Sequence, residues 1–141
     1  MKVIIVGCGR LGAHLARRLD RESHEVVVID RNAESFARLG SEFHGRMVFG
    51  TGIDEDILRS AGIEKADAFI AVTNGDNTNA MASEIAKLVF NVPRVVARLY
   101  DPVREDTFHT IGLMETVCPT IMGSDKIREL VLSETSAAKT K

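Results

Sequence analysis

At 141 residues, 45% hydrophobic and 27% charged, the chain has room for one globular domain and no substantial second one. Its net charge of −2 argues against nucleic acid or an anionic membrane as a partner, and no apolar run approaches the ~20 residues that cross a bilayer. Cys8 and Cys118 stand far apart in apolar runs, outside any CxxC or Cys/His pattern, so a zinc site has no support and a reducing cytoplasm suits them.

Val3–Val6 reads as a buried strand that runs straight into a glycine loop, leaving no stretch for a signal peptide. Leu11, Leu15, Ala16 and Leu19 then share one face of a helix, and Val26–Ile29 forms the second strand. Asn32 caps a short helix carrying Phe36 and Leu39, before a third strand at Met47–Phe49. Asp54 or Asp56 caps the next helix, with Ile57, Leu58 and Ala61 inward and Gly62 as its stop. Ala68–Val72 is the fourth strand, and the helix after it spans Asn77–Phe90, ended by Asn91 and Pro93. Val95–Ala97 follows, then a helix opened by Asp101-Pro102 and closed by Gly112, then a weaker strand at Thr116–Cys118.

After Pro119 a last helix is expected over about Ser124–Ser133. Its narrow stripe of Ile127, Leu130 and Val131 suits packing on the parent domain or on a second subunit. Residues 1–133 form the domain, and the polar, small-residue stretch 134–141 is expected to be a flexible tail. The short, β-branched runs suit strands buried on both faces. Their alternation with helices predicts an α/β, Rossmann-like, doubly wound sheet, mostly parallel, of about six strands flanked by helices, with right-handed crossovers.

Gly7-Cys8-Gly9-Arg10-Leu11-Gly12 follows the first strand and opens a helix, and Asp30 ends the second strand eighteen residues beyond Gly12. Gly7 permits a tight turn, Gly9 lets the backbone approach a pyrophosphate, and Gly12 lets helix and strand pack closely. The N–H groups of the loop, Leu11 included, and the positive end of the helix suit phosphates, while Asp30 accepts bonds from ribose hydroxyls. An acid here repels a 2′-phosphate, so NADP is disfavoured relative to NAD, ATP, ADP and AMP. Arg31 offsets part of that repulsion, or stacks on adenine, or is a solvated arginine at a helix start.

Strand order in such a sheet reverses between the first and fourth strands, and ligands sit there. Thr73 and Asn74, in the run Thr73-Asn74-Gly75-Asp76-Asn77 with Asn79 beyond, thus reach ribose or adenine edges, although capping of the next helix also accounts for Asn77. Thr51 and Gly52 line the adenine side. Arg10 and Arg98 are the candidate phosphate clamps, with a surface arginine or ion-pair partner as the alternative for each.

Val3–Gly12, Val26–Asp30, Leu58…Gly62-Ile63…Ala66-Asp67, Val72-Thr73-Asn74 through Asn79, and Ala97-Arg98 resemble the RCK N-terminal domain, also called TrkA-N or KTN. The resemblance runs from Met1 to about Leu132, with Ile111-Gly112-Leu113 and Val117-Cys118-Pro119-Thr120 similar to the family's last strand and the lead-in to its C-terminal crossover helix. It implies a cytoplasmic regulator that binds NAD(H) or ATP/ADP. It further implies a homodimer or higher ring, peripheral to the inner face of the membrane through a potassium channel or transporter that it gates. By position, Gly7, Gly9, Arg10, Gly12, Asp30, Arg31, Thr73 and Arg98 match the family's nucleotide site.

Two positions depart from the family. Gly50-Thr51 stands where Gly-Asp is frequent, which weakens an adenine contact at Thr51, and Thr120 stands where some members carry a cation-binding acid, so no metal is assigned. The family's usual C-terminal ligand-binding domain and pore helices find no match, implying a stand-alone subunit or an excised domain. The alternatives are an NAD-dependent oxidoreductase or a nucleotide-sensing regulator of another cation transporter. Hydride transfer needs a substrate pocket and a poised acid or base. His14, His24, His44 and His109 instead read as helix, turn or cap residues, so no catalytic residue is named and no enzyme is expected.

Overall fold

The computed structural model describes residues 1–134. Six strands alternate with helices: β1 (Lys2–Val6), α1 (Arg10–Arg21), β2 (Glu25–Asp30), a 3₁₀ helix (Ala33–Leu39), β3 (Arg46–Phe49) and α2 (Glu55–Ser60). A 3₁₀ turn (Ile63–Lys65), β4 (Ala68–Ala71), α3 (Asp76–Leu88), β5 (Arg94–Arg98), α4 (Pro102–Ile111), β6 (Glu115–Val117) and α5 (Pro119–Leu132) complete it. The sheet order is β3-β2-β1-β4-β5-β6, and every pair is parallel. The order reverses between β1 and β4, so the chain leaves those two strands toward opposite faces of the sheet and a crevice opens at their carboxyl ends.

The central strands β1, β2 and β4 are mostly apolar and buried because helices cover both faces, whereas the edge strand β3, expected to be buried, leaves Met47 and Phe49 exposed. Ile4, Val6, Val27, Ile29 and Phe69 pack on one face with Leu58 of α2 and with Ala82 and Ala86 of α3. Val3, Ile5, Val26 and Val28 pack on the other with Ala13 and Ala16 of α1 and with Leu39. Small alanines on α1 and α3 let the helix axes lie close to the sheet. Phe69, with no exposed surface, is the largest of these side chains, and its truncation to alanine costs about 3–5 kcal/mol.

The local start and stop signals act as their chemistry requires. Of the two candidate caps for α2 it is Asp54 that serves, its carboxylate accepting the N–H groups of Asp56 and Ile57. Asp101 caps α4 by accepting the Val103 N–H at 3.0 Å, Pro102 supplies the fixed φ, and Gly112 closes the helix at φ +74°. Asn32 caps the segment after β2, but that segment winds as a 3₁₀ helix rather than an α-helix.

Three boundaries differ from the sequence expectation. The helix α3 begins at Asp76 and ends at Leu88, short of Phe90, because Asn91 turns the chain at φ +53°. Its N-cap is Gly75, with no side-chain cap, and the Asn77 side chain instead accepts from Arg104 at 2.6 Å. The last helix starts at Pro119, not near Ser124. Cys118 is held extended at φ −117°, as a residue before proline must be, and proline then opens the helix. Gly123, inside that helix, meets nothing where a Cβ would sit, so its surroundings neither require a glycine nor break the helix there. Of the expected tail 134–141, all but Glu134 lies outside the described residues.

The helix α5 buries none of its side chains, and Met122, Ile127, Leu130, Val131 and Leu132 are all exposed. Among the described residues no helix is long and apolar enough to cross a membrane.

Candidate functional site

A cavity of about 590 Å³ occupies the crevice at the carboxyl ends of β1, β2, β4 and β5. On the β1–β2 side its wall is the backbone of the glycine loop, flanked by the side chains of Asp30 and Arg38. Gly7 turns the chain at φ +111° while its N–H donates to Ile29 O at 2.8 Å. A Cβ at Gly7 would lie 2.8 Å from the backbone of Val72 and Thr73, so any side chain here would push β1 off β4. A Cβ at Gly12 would overlap the Gly7 carbonyl oxygen. Gly12 is buried behind the loop and is the one predicted site residue that does not line the cavity. Its part is to seat the first turn of α1 against the loop.

Gly9 is different. A Cβ there would meet no atom of the protein within 4 Å, and its φ of −81° suits any residue. Folding therefore does not demand glycine at this point. The residue is exposed on the cavity wall as the N-cap of α1, and no side chain caps that helix. The first-turn N–H groups and the positive end of the helix dipole thus lack a capping side chain where the cavity opens.

Asp30 ends β2 beside this loop. One carboxylate oxygen accepts the Cys8 N–H at 2.7 Å and the other the Asn32 N–H at 2.7 Å. A carboxylate offers about four lone-pair sites, so two backbone donors leave acceptor capacity facing the cavity. The Cys8 thiol is buried, with its Sγ 3.3 Å from Ser35 O. Burial, and then the Asp30 carboxylate, push this thiol above its ordinary titration range. It stays protonated at neutral pH.

On the β4–β5 side the wall is made of side chains. Thr73, Asn74, Thr78, Arg98 and Tyr100 line it. The Arg98 guanidinium donates from Nη2 to the Thr73 carbonyl at 2.7 Å and lies 4.4 Å from the centre of the Tyr100 ring. Its Nε is buried without a hydrogen-bond partner. Arg98 is thus neither a solvated arginine nor an ion-pair partner among the described residues. The Asp76 carboxylate accepts the N–H groups of Tyr100 and Asp101, at 2.7 and 3.0 Å, and so fixes the turn that carries the ring.

The remaining predicted residues, Arg10, Leu11, Arg31, Thr51, Gly52 and Asn74, also line the cavity. Sequence reasoning missed Ser35, Arg38 and Tyr100 as lining residues, and it took Asn32 only as a cap. Arg38 donates to Cys8 O at 3.3 Å and so lies across the glycine loop. The one signal that marks Tyr100 is its place two residues beyond Arg98, on the same side of an extended segment. In all, four arginines (Arg10, Arg31, Arg38 and Arg98) and a single carboxylate (Asp30) face the cavity. In a chain of net charge −2 this concentrates positive potential where a ligand would sit. The four histidines lie elsewhere: His24 meets the N-terminal amine, His44 meets Asp20, and His14 and His109 are exposed on α1 and α4.

Residues 3–119 match the family model of the TrkA-N domain. The chain belongs to the TrkA-N family. Over 133 residues it is 45% identical to the Trk system potassium uptake protein TrkA of Streptomyces coelicolor. That alignment covers 94% of this chain but 60% of the relative, so the TrkA-N domain here spans less than two-thirds of that protein's length. Among solved structures, the GsuK channel bound to NAD superposes with a TM-score of 0.79 at 28% identity, covering 97% of this chain and 24% of the channel chain. GsuK bound to ADP gives 0.76 at 27% identity, covering 92% and 33%.

Proposed function

We propose that this TrkA-N domain is a nucleotide-sensing regulator of potassium transport whose ligand is NAD(H) or ATP/ADP, and that it is not an enzyme. The observation that carries this is the open space in front of Gly9. Protein packing leaves that Cβ position empty, the N-terminus of α1 has no capping side chain beside it, and four arginines line the same cavity. Such a site fits a pyrophosphate, which accepts from backbone N–H groups at close range and from guanidinium forks. The GsuK structures with NAD and ADP support the adenine-nucleotide class.

In this assignment Gly7, Gly9, Arg10 and Leu11 frame the phosphates, with Gly12 supporting them from behind. Asp30 takes the ribose hydroxyls through its remaining lone pairs and disfavours a 2′-phosphate. Arg31, Thr51 and Gly52 flank adenine, Thr73 and Asn74 face the second half of the ligand, and Arg98 contacts phosphate. Arg98 lines the cavity, and its guanidinium carries donors beyond the Nη2 bond to Thr73 O that a ligand phosphate would accept.

Regulation follows from population shift: a ligand that binds one arrangement of the assembly better stabilises it by that difference in affinity. The exposed apolar residues of α5 support a homodimer or larger ring of such domains. The domain would work in the cytoplasm, reaching the membrane only through the potassium transporter or channel that it serves.

Titration calorimetry with ADP and with NAD tests the assignment. Saturable one-site binding is expected, and Asp30→Ala should weaken it by about 1–3 kcal/mol. Unaltered affinity in that variant would remove Asp30 from the site. Heat-free titrations with both nucleotides would overturn the assignment.

A further inference from the structure

Asn79 lies on α3 outside the lining of the cavity and has no exposed surface. A buried amide is costly unless its donors and acceptors are used, and asparagine favours neither helix interior nor apolar surroundings. It is not the helix cap, which is Gly75. All four of its hydrogen-bonding positions are engaged. Oδ1 accepts the Thr73 N–H at 2.9 Å and the Thr73 hydroxyl at 2.6 Å. Nδ2 donates to Thr73 O at 3.0 Å and to Arg98 O at 2.8 Å. Turning the amide over would set N–H against N–H and oxygen against two carbonyls, so its orientation is fixed.

These bonds fall where the sheet stops. The pairing of β4 with β5 ends at Ala71 opposite Ala97, and beyond it the Asn79 side chain bridges the backbone of Thr73 to that of Arg98. Thr73 O is the shared point, because it also accepts the Arg98 guanidinium. One amide thus holds both the backbone of Arg98 and the carbonyl on which its guanidinium rests.

We propose that Asn79 is the positioning residue of this half of the site, presenting the Arg98 guanidinium to ligand phosphate without touching the ligand. The proposal rests on the nucleotide assignment above. Asn79 then matters to affinity only through Arg98, which separates it from a residue that merely supports the fold.

ADP dissociation constants for the unaltered protein, Asn79→Ala, Arg98→Ala and the double variant test this directly. Each single substitution should weaken ADP binding by about tenfold, and the double variant should match Arg98→Ala to within about twofold. A penalty for Asn79→Ala that persists undiminished in the Arg98→Ala background would overturn the proposal while leaving the nucleotide assignment intact. Failure of the unaltered protein to bind either ADP or NAD would overturn both, and if NAD alone binds, the same four-variant comparison is read with NAD. Should Asn79→Ala not fold, the side-chain amide resonances of Asn79 in the unaltered protein give a second test. They should exchange slowly with water and move on ADP saturation, and resonances that do not move would contradict the proposal.

Discussion

The two walls of the cavity are made of different material. On the β1–β2 side, Gly7 and Gly12 bring backbone against backbone so closely that neither tolerates a Cβ, and the glycine loop lines the cavity beside the Asp30 carboxylate. On the β4–β5 side, Arg98, Thr73, Tyr100 and Asn79 form a chain of side-chain contacts past the end of the sheet. A backbone wall is fixed by folding itself: a substitution either fits or displaces a strand. A side-chain wall can be altered step by step while the sheet stays whole. The first suits an invariant recognition of phosphate, and the second is where affinity and ligand choice can be tuned.

The sharpest way to break this contrast is Gly7→Val. A β-branched residue at φ +111° within 2.8 Å of the Val72 and Thr73 backbone should cost about 3 kcal/mol or more, read as a lower urea midpoint at unchanged slope. Arg98→Ala should leave the urea midpoint almost unmoved while weakening ADP binding by about tenfold, roughly 1.4 kcal/mol, since it removes a charged donor from the second wall alone. Its salt dependence should flatten as well, measured by titrating ADP at low and high ionic strength.

Gly9→Ala refines the picture within the first wall. The new methyl group meets no protein atom, so stability should change by less than about 1 kcal/mol, yet ADP affinity should fall at least tenfold. Unchanged affinity would mean that phosphate does not approach the loop there. The smallest effect concerns Cys8, whose thiol titrates above its ordinary value of 9.0 because it is buried and faces Asp30. The folded state keeps the proton longer than the unfolded chain, so this contribution is complete below pH 9 and is lost as pH rises through the folded value. Cys8→Ala should flatten the alkaline fall in stability measured by urea titration at stepped pH.

The same contrast explains what could be read from the sequence. Continuous β-branched runs such as Val26–Ile29 report burial on both faces, and their alternation with helices leaves few topologies, so the doubly wound sheet was legible. The first wall was legible too, because a glycine loop and the acid at the end of β2 are local patterns with fixed spacing. The second wall was legible only in part. Thr73, Asn74 and Arg98 follow strand ends, but the bonds of Asn79 join residues six and nineteen positions away and exist only once β5 lies beside β4.

Arg38 and Ser35 were missed because a 3₁₀ segment brings them across the loop, and its winding gives no periodic signal. Asn77 was read as a possible cap because its type favours caps, yet Gly75 takes that position and Arg104 takes the side chain. The start of α5 was misplaced for a related reason. The helix was placed some residues after Pro119, whereas proline after an extended residue is itself a helix opener.

The most direct test of the central claim is the thermal unfolding of the protein in the separate presence of NADH, NAD, ATP, ADP, AMP and NADPH. A nucleotide at a hundred times its dissociation constant adds about 2.7 kcal/mol, which for a chain of this size raises Tm by about 5–10 °C. A rise of that order with one or more of the adenine nucleotides, and a smaller one with NADPH because Asp30 repels its 2′-phosphate, is the expected result. An unfolding temperature that none of the six moves would contradict the claim that this cavity is a nucleotide site.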